Sequence, residues 1–211
     1  QVAHGGAGVG LAAAAAGVAP HLSLKLTALT PRFDALDAAG TRQRVLQRLQ
    51  PLLAEVHRTG AALTIDMEQY ELKPLILELF RELVESDPDG SWQPGIALQA
   101  YLPETERDLT ELIRWARALN RRIGVRLVKG AYWDTEVALA TQRRWPLPVF
   151  LNKSETDANY ERLTRLLFEN RDIVYPAIAS HNLRSVSHAI AAARRYGMTA
   201  EDWEVQMLYG M

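Results

Sequence analysis

The chain has 211 residues, 48% of them hydrophobic and 23% charged, and its 24 Lys and Arg against 25 Asp and Glu leave a formal net charge of -1. That length suits one domain with a sizeable core, and the near balance of charge excludes the long-range field that draws a protein to nucleic acid or anionic lipid. Cysteine is absent, which excludes disulfides, thiolate metal sites and a cysteine nucleophile and is compatible with a reducing compartment. No apolar run reaches the roughly 18 residues that cross a bilayer.

Residues 1–20, "QVAHGGAGVGLAAAAAGVAP", are rich in Gly and Ala and lack the basic n-region of a secretory signal. They read as a flexible or weakly helical lead-in within a longer chain. The "HGG" has the form of a lipase oxyanion-hole motif, but no G-x-S-x-G nucleophile elbow follows it.

From residue 21 onward strand-like and helix-like segments alternate. The first strand, "LSLKLTAL" (22 to 29), sets apolar residues on one side and Ser23, Lys25 and Thr27 on the other. Leu46, Leu49, Leu53 and Val56 mark the apolar face of a helix. The second strand, "ALTIDME" (62 to 68), carries Asp66 in the same relative place as Lys25, which makes it the natural partner of an inward lysine. Pro74 suits the first turn of a helix whose face is Leu75, Leu79 and Leu83. The strand "GIALQAYL" (95 to 102) precedes a helix marked by Leu109, Leu112, Ile113, Ala116 and Leu119, and the strand "GVRLVKGAY" (124 to 132) precedes two helices, "DTEVALATQRR" and "TDANYERLTRLLFEN". "IVYPAIASHN" (173 to 182) is the fifth strand, "LRSVSHAIAAARR" a helix capped at Gly197, and "WEVQMLYGM" (203 to 211) the sixth strand.

This alternation predicts an α/β fold with a largely parallel sheet. A doubly wound fold would place its signal in one early Gly-rich turn, and no G-x-G-x-x-G follows a strand. Instead Lys25, Asp66, Gln99, Arg126, Lys129, His181, Asn182 and Gln206 fall late in, or just past, successive strands. A (β/α)8 TIM-type barrel collects its functional groups in that way at its C-terminal mouth. The expectation is therefore a barrel fragment over residues 21–211, incomplete at about six βα units, with the last strands and helices lying downstream.

Among these residues Lys25 has two readings. It is a Schiff-base nucleophile, as in an aldolase-like lyase, if its pKa is depressed, or a substrate-positioning cation if a nearby carboxylate raises it. Asp66 and Glu68 share a strand face and suit acid and base roles better than metal binding, since no histidine accompanies them. His181 sits in "SHN" at a strand end, placed to hydrogen-bond a ligand. In "RLVKGAYWDTE", Arg126 offers a planar permanent cation to an electron-rich ring edge and Lys129 a point charge to phosphate. Gly130 and Ala131 admit close backbone approach, and Tyr132 and Trp133 can cover a flat ring. Together they fit a phosphate-bearing aromatic cofactor.

"SLKLTAL", "TIDMEQYE", "LQAYL", "RLVKGAYWDTE", "KSETDANY", "ASHN" and "QMLYGM", in that order and spacing, resemble the proline dehydrogenase domain of bacterial bifunctional proline utilisation proteins over residues 22–211. The resemblance implies FAD, oxidation of L-proline to Δ1-pyrroline-5-carboxylate, and transfer of electrons to a membrane quinone. It implies a cytoplasmic protein that meets the inner membrane during electron transfer, with no nucleic-acid partner for this segment and an aldehyde dehydrogenase domain further along the same chain. By motif, Lys25 and Asp66 would belong to the proline site, with Lys25 near the substrate carboxylate. Gln99 and Arg126 would contact the isoalloxazine, and Lys129, Gly130, Ala131, Trp133, Lys153, Thr156, Ser180, His181, Asn182, Gln206 and Leu208 would hold the rest of FAD. The competing readings are the Schiff-base lyase using Lys25 and a truncated barrel that binds flavin without catalysis.

Overall fold

A computed structural model describes residues 20–87, 90 and 92–210. Nearly all of the Gly/Ala-rich lead-in lies outside the described residues. The sheet strands are β1 (His21–Leu24), β2 (Ala62–Ile65), β3 (Gln93–Gln99), β4 (Ile123–Val128), β5 (Val174–Ala179) and β6 (Glu204–Gln206). They pair in chain order, every pair parallel. Helices α1 (Ala38–Thr59), α2 (Lys73–Glu85), α3 (Thr105–Ala118), α4 (Trp133–Arg143), α5 (Lys153–Glu169) and α6 (Leu183–Arg195) supply the crossovers, with α4 and α5 both lying between β4 and β5.

Two-residue periodicity divides the sheet into faces. On β4, Ile123, Val125 and Leu127 are buried and alternate with the partly open Gly124, Arg126 and Val128. Leu63, Ile65, Ile96, Leu98, Val174 and Ile178 join the buried set and meet Leu79, Phe80, Leu109, Leu112, Leu163 and Leu167 of the helices in one core. The opposite face mixes polar and small residues and is concave. Arg126 hydrogen-bonds both Ser23 on β1 and Gln206 on β6, although in a flat sheet β1 would stand about 14 Å from β4 at ordinary strand spacing, beyond the reach of an arginine. The six strands must therefore curl, and the expected barrel is present as a curled half-barrel with helices outside.

The helix ends follow from local chemistry. Asp37 caps α1, accepting from the Gly40 N–H at 3.0 Å, and Gly60 ends that helix in the left-handed region at φ 65°. Asn152 and Glu155 form a capping box on α5. Past α6, Gly197 adopts φ 64° and Met198 N–H returns to the Ala193 carbonyl at 2.9 Å, which fulfils the stop expected at that glycine.

All six predicted strands run past their observed ends, those of β2 to β5 by three or four residues. The first ends at Leu24, and Leu26–Leu29 wind into a 3-10 turn. The sixth ends at Gln206. The buried stripe of α1 is also rotated from the predicted one, running through Val45, Leu49 and Val56. Leu46 and Leu53 are only partly buried and pack against the margin of the core.

Candidate active site

At the centre of the curled face stands Arg126, its side chain 17% exposed. Its Nη1 donates to Asp66 Oδ1 at 2.8 Å and to Ser23 Oγ at 2.6 Å, and its Nε to Gln206 Oε1 at 2.6 Å. Ser23 also donates to Asp66 Oδ1 at 2.7 Å, and Glu204 takes the Gln206 amide from the other end. One guanidinium thus joins β1, the end of β2, β4 and β6. The inward neighbours are small, with Ala97 and Ala177 in register with Arg126 and Gly95 beside Gly124. The Gly95 position leaves no room, since a Cβ there would lie 2.6 Å from Thr64 Oγ1.

Below this layer His21 Nε2 meets Thr64 Oγ1 at 2.7 Å. Burial, followed by the positive charge of Arg126, pushes the His21 pKa below its ordinary value. Tyr175, in register with Gly124, is pushed up to about 12, first by burial and then by Glu204.

Lys25 and Asp66 do not form the expected ion pair. The strand stops one residue before Lys25, which begins the 3-10 turn and so leaves the inward row of alternating side chains, while Asp66 is taken by Arg126 and Ser23. Lys25 instead lies 5.9 Å from the centroid of the Tyr132 ring. Its pKa is raised, first by a hydrogen bond with the Tyr132 side chain and then by the field there, with smaller contributions from Glu68 and Asp66. A lysine held protonated is suited to binding an anion and not to Schiff-base attack.

Glu68 likewise separates from Asp66, because β2 ends at Ile65 and the loop carries Glu68 inward, where its carboxylate accepts from Thr27. Among the described residues no group of three His, Asp or Glu is placed to hold a metal.

The loop after β4 is packed against side chains of the protein itself. Gly130 adopts φ 137°, and a Cβ there would lie 2.5 Å from the Tyr101 ring, so the glycine admits an aromatic side chain of the protein itself. The Ala131 N–H points to Gln99 Oε1 at 3.4 Å, and Gln99 Nε2 donates to the Glu68 carbonyl at 2.9 Å. Trp133 is 39% exposed, with its indole N–H fixed on the Phe150 carbonyl at 2.9 Å.

Lys129 and Lys153 converge on one carboxylate, Asp157. Against the opposing effect of burial, the two lysines hold the Asp157 pKa below the usual carboxylate value. Thr156, beside it on α5, is buried.

Across the mouth, Ser180 Oγ accepts from the Asn182 N–H at 3.1 Å, and Asn182 Oδ1 caps α6 by accepting from the Ser185 N–H at 3.0 Å. His181 Nε2 accepts from the Leu208 N–H at 3.0 Å, which leaves Nδ1 as the protonated nitrogen. The Ser180 N–H donates to the Gln206 carbonyl at 3.2 Å.

The named residues therefore share the C-terminal end of the sheet in several groups: Lys25 with Tyr132, Gln99 with Ala131, Lys129 with Lys153, and Arg126 with Asp66 and the Gln206 side chain, whose backbone joins them to Ser180 and so to the group of His181, Asn182 and Leu208. Sequence reasoning missed Asp157, whose position four residues after Lys153 was a legible i,i+4 signal. It missed Tyr101 as well, because an aromatic at a strand end reads as ordinary core.

The family model described as proline dehydrogenase matches residues 7–211. The chain is 35% identical over 199 residues to the bifunctional protein PutA of Rhizobium meliloti, a match covering 91% of this chain and 16% of that one. It is 32% identical over 191 residues to proline dehydrogenase 2 of Bacillus subtilis strain 168, covering 90% of this chain and 54% of that one. Among solved structures, that of PutA from Bdellovibrio bacteriovorus inactivated by N-propargylglycine superposes with a TM-score of 0.85 at 39% identity, covering 90% of this chain and 20% of that one. The chain thus spans about half the length of one relative and a much smaller share of the bifunctional ones. The matched range, the curled parallel sheet and the relatives agree, and the chain belongs to the proline dehydrogenase family.

Proposed function

We propose that this chain forms the flavin-facing wall, and part of the substrate wall, of an enzyme that oxidises L-proline to Δ1-pyrroline-5-carboxylate. The observation that carries this reading is the fixed guanidinium of Arg126, held by Ser23, Asp66 and Gln206 with small residues around it. A cation preorganised in that way stabilises negative charge developing beside it at no cost of reorientation.

The donor set suits FAD. Arg126 offers its cation to an electron-rich ring, Gln99 braces the adjoining loop from beneath, Trp133 offers an exposed aromatic face, and Lys129 and Lys153, which share the single carboxylate of Asp157, leave a net positive charge for a diphosphate. Gly130, Ala131 and Thr156 shape the loop and the start of α5, while Ser180, His181, Asn182, Gln206 and Leu208 close the other side of the mouth. FAD, when bound, supplies the group that accepts a hydride.

Proline oxidation would move a hydride from the C5–H bond to the bound cofactor and release the amine proton to solvent, leaving a C=N bond. The contribution of the protein is orientation. Lys25, kept protonated beside Tyr132, attracts the substrate carboxylate, and Asp66 holds the guanidinium of Arg126 in place. The electrons leave for a membrane quinone, which fits a cytoplasmic protein touching the inner membrane during that step. Among the described residues no helix is long and apolar enough to cross a membrane. In a bifunctional polypeptide the product would pass to an aldehyde dehydrogenase domain.

The test is addition of L-proline without oxygen to the protein as its natural gene encodes it, with the oxidised-flavin absorbance followed in time. Bleaching is the expected outcome. A flavin spectrum indifferent to proline would reject the substrate, and a colourless protein would reject the cofactor.

A further inference from the structure

Glu68 has no part in the reaction above, yet it is 4% exposed and fully engaged. Its Oε1 accepts from the Thr27 N–H at 3.3 Å and its Oε2 from the Thr27 hydroxyl at 2.5 Å. Thr27 lies in the 3-10 turn Leu26–Leu29, which is closed by the Ala28 N–H donating to the Lys25 carbonyl at 3.1 Å. On its other side Glu68 offers its own carbonyl to Gln99 Nε2, and Gln99 Oε1 takes the Ala131 N–H.

A single residue therefore links the turn that presents Lys25 to the loop that begins at Gly130. A 3-10 turn this short has too few internal hydrogen bonds to hold its own orientation, and a buried carboxylate is tolerated only where its oxygens are satisfied. The two requirements meet at Thr27. The charge matters as well, because Glu68 is among the groups that raise the Lys25 pKa, after the larger effects of Tyr132. We propose that Glu68 is a positioning residue that fixes the Lys25 turn relative to the Gln99 and Ala131 side of the mouth, and so sets where the substrate carboxylate is held. This rests on the reading of Lys25 and Gln99 under Proposed function.

In the protein as its natural gene encodes it, Glu68→Gln should raise KM for L-proline about tenfold and lower kcat by less than about threefold, with flavin content unchanged. Hydrogen exchange, read without any turnover, should accelerate at the Thr27 amide while the amides of α2 keep their protection. Thr27→Val removes the hydroxyl donor at nearly constant volume, should move KM in the same direction, and carries the test if Glu68→Gln does not accumulate. Because Glu68 acts through Lys25, adding Glu68→Gln to Lys25→Met should raise KM no further than Lys25→Met alone.

A KM unmoved by Glu68→Gln and Thr27→Val while Lys25→Met raises it would overturn the positioning role and leave the reading of Lys25 standing. A KM unmoved by Lys25→Met itself would overturn that reading and this proposal with it. Additive increases in the double variant would make the effect of Glu68 a general loosening of the fold, and would equally overturn it.

Discussion

On β4 the outward residues Ile123, Val125 and Leu127 are 1%, 0% and 0% exposed, whereas Arg126, one step along the same strand, is tied to partners on three other parts of the sheet. The outer face is held by burial, which is non-directional and scales with the apolar volume enclosed. The inner face is held by hydrogen bonds that depend on which atom stands where. Stability and chemistry are thus assigned to alternate residues of one strand, and variants on the two faces should fail in different ways.

The largest loss of stability should come from the outer face. Leu127→Ala should lower the unfolding free energy by about 3 kcal/mol through lost burial and a residual cavity, read by urea denaturation, while flavin reduction per folded molecule stays close to that of the parent. A rate that fell with the stability would break the separation of faces. Arg126→Met should do the converse, slowing flavin reduction by proline roughly a hundredfold through loss of a preorganised cation. Its urea midpoint should move far less, since Asp66 keeps Ser23 and is partly open to water. An unchanged reduction rate would remove Arg126 from the reaction.

The smallest effect sharpens the comparison from a third place. Glu136 on α4 is 5% exposed and accepts from the Tyr70 N–H at 2.7 Å. Burial raises its pKa above the usual glutamate value, so the fold favours the protonated form. That contribution to stability is fully present below the unfolded pKa of about 4.3 and is lost as the pH rises through the higher folded value. Glu136→Gln keeps the acceptor without the charge. It should raise Tm by roughly 2 °C at neutral pH and add nothing in acid, a pattern checked by melting both proteins across the pH range. A gain independent of pH would show that the carboxylate is not the cause.

How much of this was legible in the sequence depends on the range of the interaction concerned. All six strands and six helices were, because alternation and 3.6-residue periodicity are local signals reinforced over several residues. The end of β1 was not. "LSLKLTAL" alternates well enough to read as one strand through residue 29, and only the bonds from Thr27 to Glu68, 41 residues away, reveal that the chain turns first. The same cause undid the Lys25–Asp66 pair, whose premise was a shared register. The neighbours of Arg126 in "RLVKGAYW" mark it as a functional cation, but its partners come from strands far away in sequence. Gly130 was legible as a required glycine, though not for its reason, since the side chain that needs the space belongs to Tyr101.

The bonds of Arg126 have a consequence for the order of assembly. Its partners Asp66, Gln206 and Ser23 lie 60, 80 and 103 residues away along the chain, and contacts of such separation form late because each closes a long loop before it returns any stabilisation. The parallel strands can pair one βα unit at a time, but the guanidinium acquires its full set of partners only when the first and sixth strands have both arrived. Chains stalled with five strands would keep much of the apolar core and most of the helix content while Arg126 remained without Gln206. The appearance of proline-dependent flavin reduction would therefore lag behind the recovery of secondary structure during refolding.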